Sequence, residues 1–139
     1  NARRGSLRSP LVRGGGTIFG PRPRDYSFKL NKKLRKLARK SALTYKAKES
    51  NILVLEDFKF DEPKTKSYLD LLVNLKVDDK KTLLVTAKED KNIHLSSRNL
   101  PQTKVVRATD ISTYDVLNAN SLILCEGAVK EIENLFSTN

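Results

Sequence analysis

The sequence contains no methionine or tryptophan, one cysteine, one histidine and only 6% aromatic residues. Each shortage removes a class of function. Structural zinc sites take four nitrogen or sulfur ligands, so one His and one Cys cannot build one within this chain. Cys125 has no partner for an intramolecular disulfide; it lies in an apolar run and reads as a small buried hydrophobe in a reduced, intracellular setting. His94 reads as a helix-start surface residue. No spacing pairs a nucleophile with a base held by a third group, so no catalysis is expected. No apolar run approaches the roughly 18 residues of a membrane span. The absence of Met implies that the chain is processed or is a piece of a longer product.

Glycine is missing where a nucleotide site would need it. Phosphate-cradling turns place glycines directly after a strand, so that backbone N–H groups can approach the ligand at a helix start. Here the apolar run Ile52–Glu56 is followed by Asp57, Phe58 and Lys59, and Thr82–Ala87 by Lys88, Glu89 and Asp90. Only Leu122–Cys125 has a glycine close behind it, Gly127, which reads as a helix-start device. No cofactor, metal or small-molecule substrate is expected.

Acid is the scarcest commodity of the first third. Residues 1–48 hold 15 Lys/Arg against one acid, Asp25, whereas residues 49–139 hold 12 Lys/Arg against 15 acids. The formal charge is therefore +14 in the first part and −3 in the second, within a total of +11. Such asymmetry needs a polyanionic partner or constant solvation. Residues 1–30 also hold five of the six glycines and three of the five prolines. Ordering a backbone costs roughly 1–2 kcal/mol per residue, so fixing about 24 residues costs on the order of 25–50 kcal/mol. The few apolar residues of that stretch (Ala2, Leu7, Leu11, Val12, Ile18, Phe19) cannot offset it, and residues 1–30 are expected to be an extended arm without regular structure. An organellar targeting peptide shares the acid-poor, Arg- and Ser-containing composition, but Gly14–Gly16, Gly20, Pro21 and Pro23 would break its amphipathic helix.

From Asn31, a suitable cap, the spacing predicts a basic helix to about Lys48, with Leu34, Leu37, Ala38, Ser41, Ala42 and Tyr45 on its apolar face. Beyond it, short apolar runs alternate with helical patterns. Ile52–Glu56 reads as a strand buried on both faces. Pro63 starts a helix over 64–76 with Tyr68, Leu69, Leu72 and Leu75 inward. Thr82–Ala87 is a second strand, His94–Leu100 a short helix, Lys104–Ala108 a weaker strand and Ser112–Asn118 a helix capped by Ser112. Leu122–Cys125 is a fourth strand, and Gly127–Phe136 a closing helix. The alternation implies a three-layer α/β domain over residues 31–139, with a mostly parallel four-stranded sheet flanked by helices.

The candidate site is the arm and the basic helix. All six basic residues before Asp25 are arginines: Arg3, Arg4, Arg8, Arg13, Arg22 and Arg24. Guanidinium offers phosphate a planar fork and stacks on bases, whereas lysine is a point charge. Gly14, Gly15 and Gly16 allow backbone to press against a surface. Phe19, Tyr26 and Phe28 offer rings either for stacking on exposed bases or for anchoring the arm's root to the domain, and Lys29, Lys32, Lys33, Arg35, Lys36, Arg39 and Lys40 extend the cationic surface. RNA is preferred to DNA because no base-reading recognition helix stands out and an irregular arm suits the crevices of folded RNA. Two other readings stay open: an α/β RNA-modifying or nucleotide-using enzyme with a basic arm, and a protein-interaction domain with an unrelated basic tail.

The segment from Ala2 to Leu43, with GGG followed by FGPRPRDY, resembles the central signature of the bacterial large-ribosomal-subunit protein conventionally numbered four. EPKTK (Glu62–Lys66), SSRNLP (Ser96–Pro101) and YDVLN (Tyr114–Asn118) are similar to the same family, in order along nearly the whole chain. The resemblance implies a non-catalytic, cytoplasmic component of the large ribosomal subunit, with an α/β domain outside and a long loop reaching through 23S rRNA to the nascent-peptide exit tunnel. It places the tunnel tip, which bears on macrolide sensitivity, before Ala2, and residues 1–24 on the returning arm of that loop. The implied partners are large-subunit rRNA and neighbouring large-subunit ribosomal proteins; the protein's own leader mRNA enters as a further candidate, with no membrane.

Overall fold

A computed structural model describes Arg3 and residues 5–137 of the chain. Four strands, β1 (Ile52–Leu55), β2 (Thr82–Thr86), β3 (Thr103–Arg107) and β4 (Ser121–Cys125), form one sheet of order β1-β4-β2-β3, every neighbouring pair parallel. Five α-helices accompany them: α1 (Lys32–Lys48), α2 (Thr65–Asn74), α3 (Lys91–Ser97), α4 (Thr113–Asn118) and α5 (Glu126–Ser137). The expected α/β alternation is present. The chain moves across the sheet one way from β1 to β2 to β3, then returns to β4. Right-handed crossovers place the helices of those two directions on opposite faces. Accordingly α2 packs with α3, while α1 packs with α4 on the other face.

The two central strands show why short apolar runs become buried strands. Every residue of β2 and of β4 is buried, because both sheet faces are covered by helices. Leu83, Leu84, Val85, Leu122 and Ile123 form the middle of the core; α2 and α3 add Tyr68, Leu72 and Ile93, and the other face adds Ala42, Val116, Ala128 and Ile132. Each such side chain withdrawn from water contributes roughly 1.5–3 kcal/mol. The Tyr68 hydroxyl finds no hydrogen-bond partner there, and burial, with Cys125 beside it, pushes its phenol up from the ordinary value.

Several expectations need correcting. β1 is an edge strand, with Val54 well exposed, because an unbroken apolar run does not distinguish an edge from a centre. Helix α2 starts at Thr65, two residues after Pro63, and Leu69 faces solvent while Leu71 is half-buried. Helix α3 starts at Lys91, not His94. Its cap is Asp90, whose carboxylate accepts from the Asn92 N–H at 2.9 Å and the Ile93 N–H at 3.5 Å. His94 is exposed in mid-helix. Ser112 caps α4 as expected, accepting from the Asp115 N–H. Asn31 begins α1 by its backbone alone, its side chain making no cap bond.

Helix α1 differs most from its expected orientation. The residues it buries or half-buries are Lys36, Arg39, Ala42, Leu43 and Lys46, while Leu34, Leu37 and Tyr45 of the predicted apolar face are more than half exposed. Ala42 lets the helix approach closely, and the Lys46 stem fills space beside it with its ammonium 3.9 Å from Glu49. Leu30 and, on α4, Tyr114 and Leu117 are also exposed, so an apolar stripe is left open on this face.

Candidate nucleic-acid interface

At its C-terminus helix α1 leads through Asn51 into β1, and at its N-terminus it receives the arm. Its first turn carries Lys32, Lys33 and Arg35, all exposed, and no acid. A helix N-terminus is a partial positive charge with unpaired N–H groups, so cations there are locally unfavourable. With Asn31 not capping, that end of α1 is a cationic surface that a polyanion relieves. The remaining basic candidates are less free. Lys36 and Arg39 are half-buried, and the Lys40 ammonium sits 5.7 Å from the centre of the Phe136 ring on α5.

In the arm, Arg3, Arg8, Arg13, Arg22, Arg24 and Lys29 are all exposed, as are Phe19, Tyr26 and Phe28. Arg4 and Ala2 lie outside the described residues. Phe19 is 99% exposed and adopts φ 51°, a left-handed conformation that is costly for a bulky residue. Among the described residues nothing covers the ring to repay that cost, so an aromatic ring is presented to whatever the arm meets.

The three glycines have a task of their own. Residues 6–16 form a chain of turns: Ser9 N–H to Ser6 O, Val12 N–H to Ser9 O, Gly15 N–H to Val12 O, and a closing bond from Gly16 N–H to Arg8 O at 3.0 Å. A Cβ on Gly15 would lie 1.9 Å from the Ser9 carbonyl oxygen, and Gly14 has φ +76°. Close approach is thus needed first by the arm against itself. Spacing alone could not show this, because Gly-Gly-Gly reads equally well as an opening toward a ligand.

The rest of the molecule offers the other place where an α/β sheet takes ligands: the crevice beyond the carboxyl ends of adjacent strands whose connections diverge. Here that is the gap between β2 and β4, with a cavity of about 390 Å³ whose lining includes Asp57, Glu89 and Asp90, the lysines Lys59 and Lys88, and Cys125. The Asp57 carboxylate accepts from the Gly127 N–H at 3.2 Å, so the start of α5 that would cradle a phosphate already holds this chain's own anion. A Cβ on Gly127 would lie 2.8 Å from Asp57 Oδ2 and 3.0 Å from the Ala87 Cβ, which explains the glycine by close packing. Burial, with Asp57 nearby, pushes the Cys125 thiol up to about 11, so it stays protonated and inert at neutral pH. The crevice mixes three carboxylates with two lysines, and its helix start is capped by Asp57, which argues against a nucleotide there.

A sequence profile of the ribosomal protein L4/L1 family matches residues 1–135. The chain is 57% identical over 136 residues to the large ribosomal subunit protein uL4 of Amoebophilus asiaticus, covering 98% of this chain and 65% of the relative. The protein of the same name from Flavobacterium johnsoniae is 55% identical over the same extent. That of Porphyromonas gingivalis is 54% identical over 135 residues, covering 97% of this chain and 65% of the relative. The chain thus spans about 65% of the length of these curated relatives.

Proposed function

The chain belongs to the ribosomal protein L4/L1 family, and from that premise we propose that it is a structural, non-catalytic component of the large ribosomal subunit that grips 23S rRNA through its arm and the first turns of α1. Residues 1–30 form the rRNA-penetrating arm and residues 31–139 the α/β domain that anchors it. Arg3, Arg4, Arg8, Arg13, Arg22 and Arg24 meet phosphates and bases within a crevice, Phe19 and Tyr26 stack, and Lys29, Lys32, Lys33 and Arg35 cover the RNA surface where the arm leaves the domain. Lys36, Arg39 and Lys40 flank that surface from the half-buried side of the helix. The arm reaches toward the wall of the exit tunnel, and the working compartment is the cytoplasm. The open apolar stripe of Leu34, Leu37 and Tyr45 suits contact with protein within the assembled particle rather than with RNA. The protein's own leader mRNA is a further RNA partner in this reading.

The observation that carries the proposal is the segregation of charge from packing: 15 Lys/Arg and one acid fall in residues 1–48, and residues 21–31 are exposed without exception. The test is a salt titration of binding to a 23S rRNA transcript. Neutralising about eight phosphates gives a slope of log affinity against log salt of about −6. A slope near zero would defeat the proposal.

A further inference from the structure

Among the described residues, 17–30 make no backbone–backbone hydrogen bond. What braces this root of the arm is two interleaved pairs of side chains. The Asp25 carboxylate accepts from the Ser27 N–H at 2.9 Å and from the Ser27 hydroxyl at 2.7 Å. The Arg24 guanidinium lies 4.6 Å from the centre of the Tyr26 ring. The bond from the Ser27 N–H to the carboxylate two residues back is an Asx-turn, and the Arg24–Tyr26 pair interleaves with it. Asp25 makes no ion pair among the described residues, although Arg22, Arg24 and Lys29 are close in sequence. It is also the only acid in residues 1–48. An anion in an RNA-facing segment opposes binding by simple electrostatics, so its presence requires another contribution. The Ser27 hydroxyl, then its N–H, hold this carboxyl below its ordinary range, in keeping with a carboxylate engaged as an acceptor.

We propose that Asp25 is a positioning residue for RNA binding: its hydrogen bonds to Ser27, with Arg24 stacked on Tyr26, fix the local turn at residues 24–27 and aim the arginines beyond it from a fixed root. The inference rests on the RNA-binding reading above. Its test uses the opposed effects of charge and brace. Asp25→Asn removes the charge but keeps an oxygen acceptor for Ser27; Asp25→Ala removes both.

Binding is measured to a 23S rRNA transcript and to poly(U), at about 0.15 M KCl because affinity depends on salt. On 23S rRNA, Asp25→Asn binds within about twofold of the parent or tighter. Asp25→Ala binds about five- to tenfold more weakly despite the same change of charge, the loss expected for two exposed hydrogen bonds. On poly(U), which presents no fixed crevice, both variants bind at least as tightly as the parent. Ser27→Ala gives an intermediate loss on 23S rRNA, and adding it to Asp25→Ala costs nothing further, because the two act as one unit. The melting temperature is unchanged throughout, since these residues are exposed. Equal shifts for Asn and Ala, or additive losses at 25 and 27, overturn this inference alone. A parent protein that does not prefer 23S rRNA to poly(U) overturns the RNA reading and the inference with it.

Discussion

Residues 1–48 and residues 49–139 carry similar numbers of lysines and arginines, 15 and 12, but use them differently. Among the described residues of the domain, Lys64, Lys104 and Arg107 meet carboxylates. Lys104 meets the buried Asp115 at 2.7 Å, and Arg107 bonds Asp110 and lies 3.6 Å from Glu89. The Asp110 hydrogen bond holds the Arg107 guanidinium in its charged form. In the arm the single carboxylate is taken by Ser27, and the described arginines face solvent. A count of cations alone would not separate the two regions; the acids that stand beside them do. Paired cations tie loops of the domain together, whereas unpaired ones remain available to a partner.

The comparison is broken most directly by removing one side of it. Trimming residues 1–30 lowers 23S rRNA affinity about a thousandfold near physiological salt and reduces the salt slope from about −6 to about −2, leaving the α1 cations. The melting temperature of the remaining domain moves by no more than about 2 °C, because the arm contributes nothing to the core. Retained affinity would place the RNA footprint on the domain instead. The reverse experiment is Ile123→Ala, in a central strand where the side chain is fully buried. It lowers domain stability by about 2–5 kcal/mol, measured by denaturant unfolding. RNA affinity stays within about twofold at temperatures where the domain remains folded.

Gly127→Ala sharpens the comparison at the one place where the domain resembles a ligand site. The added Cβ meets Asp57 and Ala87 at 2.8 and 3.0 Å, so the variant loses about 1–3 kcal/mol through overpacking while its RNA affinity stays the same. A variant of full stability with altered RNA binding would turn the crevice from a packed joint into a site.

The alternation of strands and helices was legible because β2 and β4 are buried on both faces and keep their polar residues, Thr82, Thr86 and Ser121, at the strand ends. The position of a strand in the sheet was not legible, since Ile52–Leu55 and Leu122–Cys125 are equally apolar yet one is at the edge. The exposed face of α1 was misread for a related reason. Leu34, Leu37 and Tyr45 give the cleaner helical spacing, but burial depends on what a face meets, and the sheet meets Ala42, Leu43 and Lys46. The arm's charge was plain from composition. Its internal turn was hidden, because the Ser9–Gly15 contact depends on geometry that Gly-Gly-Gly leaves open. Nor did any helix-end glycine mark where α1 and α2 stop.

Those two helix ends carry the smallest effect and the finest test. After α2, Lys76 adopts φ 56°, its N–H bonding to Val73 O, and the Val77 N–H reaches back to Leu72 O at 3.1 Å. This is the left-handed helix stop that glycine usually occupies, and a side chain with a Cβ makes it costly. Lys76→Gly relieves that strain and raises domain stability by about 0.5–1 kcal/mol, read as a rise in the denaturation midpoint at constant slope. The substitution also deletes a cation, which gives it a second readout. If the RNA surface is confined to the arm and the first turns of α1, the salt slope on 23S rRNA is unchanged. A slope shallower by about 0.7 would mean that Lys76 neutralises a phosphate of its own, and the division of labour between paired and unpaired charges would have to be redrawn across the sheet.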